Sequence, residues 1–151
     1  MPATPPQTRG SQRKVAHRRL GYGSFLHMAQ NGRFGLSVRV LGFLALAPDS
    51  MHTSAAIAES LKTSPVMVRR VFSTLHKAGF LVQRKGPQGG AKLKLPAKSI
   101  GLGDVFAATA GAWPVTGEKP VDAVLKRVRE DAVKAMNETS IASLAKKLKK
   151  A

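Results

Sequence analysis

Between Ser54 and Leu95 the hydrophobic pattern runs from one helical period to another and then to strict alternation, without a gap. In Ser54-Ala-Ala-Ile-Ala-Glu-Ser-Leu61 the apolar Ile57 and Leu61 recur four apart, and Ala56 and Ala58 keep the helix slim enough for another to cross it closely. Lys62-Thr63 leaves room for a turn. Ser64 then stands at an N-cap with Pro65 at the first helical position, where the missing N–H costs nothing and the ring presets φ. The helix predicted from Pro65 to Ala78 has an apolar set of Val68, Val71, Phe72, Leu75 and Ala78, with Met67, Arg70, Thr74 and Lys77 on its other side. Gly79 ends it. Phe80–Arg84 reads as a strand and Lys85-Gly-Pro-Gln-Gly-Gly90 as a tip. In the second strand, Ala91–Leu95, the period puts Leu93 and Leu95 on a dry face and Lys92 and Lys94 on a basic one. Helix, turn, helix and hairpin in this order predict a winged helix-turn-helix.

The flanks predict helices. From Phe34 to Ala47 one stripe is Phe34, Val38, Leu41 and Ala45, and Leu36, Val40, Phe43 and Leu44 widen it. That helix needs cover on more than one side, from the C-terminal arm or a partner subunit. Pro48-Asp-Ser50 stops it and His52-Thr-Ser54 caps the next. Leu102, Val105, Phe106 and Thr109 mark a short helix with Asp104 in its first turn, where the dipole favours an acid. Gly111–Pro120, with the sole tryptophan Trp113, is a loop. The helix predicted from Val121 to Asn137 carries Val121, Val124, Leu125, Val128, Ala132, Ala135 and Met136 at spacings of three and four, and Glu130 precedes Lys134 by four in the favourable order. At about 25 Å it exceeds what one small domain covers, which points to dimerisation. Asn137 or Thr139 caps a last helix containing Ile141, Leu144, Ala145 and Leu148. The fold class expected is mainly α with a small β-hairpin wing, extended by a long C-terminal dimerisation helix. Its divisions are a leader (1–33), a DNA-binding domain (34–98) and a helical dimerisation and effector region (99–151).

Charge narrows the partner. Twenty-five Lys and Arg against 8 Asp and Glu in 151 residues give +17, which calls for a polyanion. No run reaches the roughly 18 apolar residues of a membrane span. Without cysteine there is neither disulfide nor thiolate ligand. Residues Met1 to Arg33 hold six Lys or Arg, no acid, and prolines at 2, 5 and 6, so they read as a disordered basic arm that adds non-specific DNA affinity. They lack the apolar core of a secretory signal. The histidines, His17, His27, His52 and His76, form no Ser-His-Asp set. Gly86-Pro-Gln-Gly-Gly90 lacks the Lys-Ser/Thr of a phosphate loop and leads into a strand. No catalytic residue, metal or cofactor is expected.

Major-groove recognition by the Pro65 helix, with the hairpin on flanking backbone or in the minor groove, follows from these elements. Arg69 and Arg70 offer guanidinium forks to guanine or to phosphate, and the sequence does not choose between them. Lys77, Arg84, Lys85, Lys92 and Lys94 suit phosphates, and Gly79 to Lys98 carries five Lys or Arg and no acid. Thr53 or Ser54 holds a phosphate or merely caps. Ser64, Met67 and Thr74 complete the helical part of the expected site, and Gly86, Gly89 and Gly90 the wing tip. Two other functions fit the same pattern: low-specificity architectural nucleic-acid binding, and a winged-helix module that binds protein.

From Phe34 to Leu148 the chain resembles the Rrf2-type bacterial transcriptional regulators. The likeness is carried by Thr53-Ser-Ala-Ala-Ile-Ala58, Ser64-Pro-Val-Met-Val-Arg-Arg-Val71, Leu75-His-Lys-Ala-Gly-Phe80, Gly86-Pro-Gln-Gly-Gly90 and Ile100-Gly-Leu-Gly-Asp-Val-Phe-Ala107, in that order. It implies a cytoplasmic, nucleoid-associated homodimer that binds double-stranded DNA at a palindromic promoter element and usually represses. Where that family commonly has Arg before the first wing glycine, this chain has Lys85, beside Arg84. The family's iron-sulfur members carry cysteine ligands near Ala110–Val121, which holds none here, so the resemblance is to a variant without a cluster. Met28-Ala-Gln-Asn-Gly-Arg-Phe-Gly resembles the family's usual beginning, which marks Met28 as an alternative start. Neither effector nor promoter is legible.

Overall fold

Two side-chain caps set the frame of the helix-turn-helix. The Thr53 hydroxyl accepts the Ala56 N–H at 3.1 Å and starts α2, Ser54–Leu61. The Ser64 hydroxyl accepts the Met67 N–H at 3.2 Å and starts α3, Pro65–Lys77, with the proline in its first turn as expected. Between them Lys62 takes the left-handed conformation, φ 52°, and its N–H closes α2. The computed structural model of the chain describes the backbone of residues 23–150 and the side chains of residues 32–150, and the readings made for residues 1–22 lie outside these.

Helix α1 runs Gly23–Leu46, so it begins at Gly23 rather than at Phe34 and takes in residues 23–33, which composition assigned to the leader. No proline interrupts that stretch. Once the apolar turns beyond Phe34 exist, each added residue gains a hydrogen bond without a new nucleus. Leu36, Val40, Leu41 and Leu44 on α1 are buried with Ile57 and Ala58 on α2 and Val68, Val71, Phe72 and Leu75 on α3. Each such side chain, taken fully out of water, contributes roughly 1.5–3 kcal/mol. Ala78, expected in this set, is the exposed C-cap of α3, because the helix ends before its next inward turn.

The wing is a two-stranded antiparallel sheet of β1, Leu81–Arg84, and β2, Gly90–Leu93, in register Leu81↔Leu93 and Gln83↔Ala91. Its dry face is Leu81, Ala91 and Leu93. Leu95, assigned to that face by alternation, is 39% exposed. The ladder ends at Leu93 because Pro96, which has no N–H to donate, turns the chain into the 3-10 helix Ala97–Ser99. An unforeseen third piece of backbone joins the sheet: His52 N–H donates to Ala91 O at 3.0 Å and Ala91 N–H to His52 O at 2.9 Å.

The core continues past the wing. Three helices follow, α4, Leu102–Thr109, α5, Lys119–Met136, and α6, Ile141–Lys150, and Ile100 just before α4, Val105 on α4 and Ile141 on α6 join one cluster with α1. α6 lies along α1 and supplies from within the chain the second cover that α1 requires. At Gly103 a Cβ would run into the Val133 carbonyl, so α4 and α5 touch backbone to backbone. Asn137 does not cap the last helix. Its Oδ1 accepts the Asp104 N–H at 3.0 Å and its Nδ2 donates to Asp104 Oδ1 at 3.0 Å, capping α4 across the fold. Ser140 caps α6 instead, accepting the Ser143 N–H at 3.3 Å. On α5 the ion pair is Lys126–Glu130 at 4.0 Å rather than Glu130–Lys134. No residue of α5 is buried, although its apolar positions repeat as expected.

Candidate nucleic-acid interface

Burial of Val68, Val71, Phe72 and Leu75 fixes the rotation of α3 and so decides where its other residues look. Opposite that stripe, Val66, Arg70, Ser73 and Lys77 recur at spacings of four, three and four and are all exposed. Arg69 stands to one side, its Nη1 3.4 Å from the Ser54 hydroxyl at the start of α2. Met67 and Thr74 stand to the other, towards α1, with the Thr74 hydroxyl donating to Arg70 O at 3.1 Å. The two neighbouring arginines thus occupy different edges of one helix.

Arg69, Thr53 and Ser54 share an open cleft of about 460 Å³ with Arg84, Lys85, Gly86, Gly89 and Gly90 of the wing. Eight residues of the expected site meet there. Thr53 is the α2 cap, and Ser54 is the residue that turns its hydroxyl to an arginine. Gly90 is required by its place: φ is +153°, and a Cβ would strike the His52 carbonyl of the bridge that ties the wing to the body. Ser64 caps α3, while Lys92 lies half-buried on β2 away from the cleft. No Asp or Glu lines the cleft, and among the described residues no ion pair involves α2, α3 or the wing. Its cations are therefore unneutralised, which is the electrostatic condition for holding phosphate.

Val66 and Ser73 were not among the expected site residues. The exposed complement of the buried stripe would have supplied them. Arg33 was missed for another reason: it was counted with the leader, but the structure sets it beside Met67, Arg70 and Thr74.

Over residues 31–147 the chain matches the Rrf2 family, described as iron-dependent transcriptional regulators. The chain belongs to the Rrf2 family. Its fold is the winged helix-turn-helix. YwnA of Bacillus subtilis, named as an HTH-type transcriptional regulator, is 37% identical over 78 residues, 52% of this chain and 56% of that protein. YwgB of the same organism is 36% identical over 76 residues, 50% of this chain and 49% of that protein. The chain spans about half the length of the curated relatives it matches. Among solved structures, T. potens IscR superposes with a TM-score of 0.60 at 20% identity, covering 77% of this chain and 85% of that one. CymR (YrzC), the global cysteine regulator of B. subtilis, gives 0.60 at 22% identity, covering 76% and 93%. At such identities the likeness is one of fold.

Iron-dependence in the family's description meets an unsuitable donor set here. The Rrf2 chain has no cysteine, and among its described residues no three His, Cys, Asp or Glu side chains converge. His52 packs edge-on to Phe43 with its Nε2 3.4 Å from Ala47 O, and His76 Nδ1 is 3.1 Å from Leu81 O. The loop before α5 is held by other means. Trp113 Nε1–H donates to Leu125 O at 3.0 Å, and its ring meets Phe106 edge-on. The described residues do not fit an iron site. No described helix is long and apolar enough to cross a membrane.

Proposed function

We propose that this Rrf2 protein is a sequence-specific homodimeric repressor that lays the Val66–Arg70–Ser73–Lys77 face of α3 into the major groove of a palindromic promoter element. The observation that carries the reading is the division of α3: an outward face of mixed chemistry suited to base edges, flanked by an acid-free cationic cleft suited to backbone. Arg70 forks to a base, whereas Arg69, Ser54, Arg84 and Lys85 hold phosphates around the start of α2. Residues 34–98 carry this contact and residues 99–151 the pairing of subunits.

Dimerisation rests on α5. Val121, Val124 and Val128 are 39%, 62% and 50% exposed, an apolar row at helical spacing along an 18-residue helix none of whose residues is fully buried in its own chain. A second copy meets the same row by two-fold symmetry, and a palindrome needs that symmetry to present two recognition helices about 34 Å apart. Occupying a promoter in this way obstructs transcription, in the nucleoid of the cytoplasm.

Selection of bound duplexes from genomic fragments, followed by affinity measurement, tests the reading. The selected palindrome should bind at least about 10³-fold more tightly than its scrambled counterpart. Equal affinity for both would favour the architectural reading that +17 invites, and no salt-dependent binding to either would leave a protein-binding module.

A further inference from the structure

The cationic surface does not stop at the wing side of α3. On the opposite edge Arg33, exposed on α1, shares an open cleft of about 570 Å³ with Met67, Arg70, Ser73 and Thr74. A second cleft of about 430 Å³ next to it joins Arg33 to Arg39 and Thr63. No acid lines either one. Arg39 is already engaged, its Nη2 donating to Leu61 O at 2.7 Å at the end of α2, whereas among the described residues no hydrogen bond or ion pair occupies the Arg33 guanidinium. α1 is pinned at this point, because Phe34 meets Phe106 edge-on at 5.5 Å between ring centres. Its buried Ser37 hydroxyl donates to Arg33 O at 2.8 Å. A fixed backbone therefore presents a guanidinium, without a partner among the described residues, beside the outward face of α3.

Building on the DNA-binding reading above, we propose that Arg33 binds a phosphodiester of the duplex on the side of α3 away from the wing. α3 is then held between backbone contacts on both edges, which fixes its depth and register in the groove. The guanidinium needs a charge partner of this kind, since Arg70 in the same cleft repels it.

The full chain and its Arg33→Gln and Arg33→Lys variants test this, with Lys85→Gln as the wing control. Gln keeps the helix and removes the charge, and Lys restores charge without the planar fork. For Arg33→Gln the slope of log affinity against log salt should flatten by about 0.9, so the loss between 50 mM and 200 mM salt shrinks about 3.5-fold. Arg33→Lys should recover the slope. In phosphate-ethylation interference, one position per half-site should weaken the wild type and not Arg33→Gln. The proposal fails if Arg33→Gln changes neither slope nor interference pattern while Lys85→Gln lowers the slope. It also fails if inorganic phosphate at fixed ionic strength erases the difference between wild type and Arg33→Gln, since the residue then holds a free anion. A wild type that binds no duplex refutes the underlying function as well, and this outcome is distinct from the other two.

Discussion

Replacing Arg69 and Arg70 one at a time by Ala separates positioning from reading within a single turn of helix. Alanine is the strongest helix former, so neither change threatens α3 itself. Both side chains are exposed, and the Arg69–Ser54 bond at 3.4 Å is a surface contact whose loss shifts stability by no more than about 0.5 kcal/mol. Effects on DNA are then read without correction for unfolding. Arg70 belongs to the outward face, and loss of a bidentate base contact costs about 1–3 kcal/mol, or roughly 5- to 150-fold, on the selected palindrome only. Arg69 faces the wing cleft, so its removal should weaken selected and scrambled duplexes in equal ratio and flatten the salt slope by about 0.9 for the lost phosphate. Fluorescence anisotropy at several salt concentrations, with circular dichroism to confirm unchanged helix, measures both quantities. Selectivity lost in Arg69→Ala and kept in Arg70→Ala would reverse the assignment, and uniform loss in both would remove α3 as the reader.

Three further outcomes follow from other parts of the fold. Val128→Glu should yield monomers in sedimentation and abolish tight binding to the palindrome with little change in subunit melting, because Val128 is 50% exposed in the subunit and a charge there is desolvated only on pairing; a variant that stays dimeric counts against α5 as the interface. Gly90→Ala should cost about 1–3 kcal/mol in urea unfolding, since it combines φ +153° with a collision at the His52 carbonyl, and an unchanged midpoint would contradict the bridge between wing and body. The Asp122 carboxylate accepts the Thr116 N–H at 2.7 Å, the Thr116 hydroxyl at 3.0 Å and the Gly117 N–H at 3.2 Å. The Thr116 backbone bond foremost holds its pKa below the ordinary 3.8, against an opposing desolvation. A depressed carboxylate stabilises the folded loop above its ordinary pKa and loses that effect as pH falls through the lower folded value. Fluorescence of Trp113 should therefore show an acid transition below the ordinary carboxylate range that Asp122→Asn lacks; identical acid titrations would separate the loop clamp from the tryptophan.

What the sequence disclosed and what it hid divide by the range of the interactions involved. Ser64-Pro65, the stripe from Val68 to Leu75 and the start of α2 at Ser54 are local signals, and each stands where it was expected. Leu95, Asn137 and the His52–Ala91 bridge depend on residues far along the chain, and alternation or capping rules applied locally misplace them. α1 shows the opposite failure. Charge composition over residues 1–33 masked a stretch whose continuation into α1 is set by the apolar turns that follow it, and Arg33 was counted with the leader as a result. The wing cleft was legible as a set of residue types, while the placing of Arg69 on one edge and Arg70 on the outward face needed the rotation of α3.

That rotation also explains how a chain of +17 remains compatible with sequence selectivity. From Ser60 to Gly103 there is no Asp or Glu, so α3 and the wing carry only cationic or neutral side chains. Three of the six acids after Gly103 are engaged within that part: Asp104 with Asn137, Asp122 with its loop and Glu130 with Lys126. Such segregation raises affinity for any polyanion, and a protein built only on it would slide along DNA without preference. Discrimination requires contacts that depend on the base rather than on the charge, and the outward row of α3 mixes an apolar Val66, a hydroxyl on Ser73 and a fork on Arg70 on one helix face. The phosphate contacts proposed on either edge would make that small row effective, because they restrict the helix to the depth and angle at which a mismatched base leaves a donor or acceptor unpaired. On the proposed function, affinity and selectivity thus reside in different side chains of the same surface, and the cationic edges serve the reading face by holding it still.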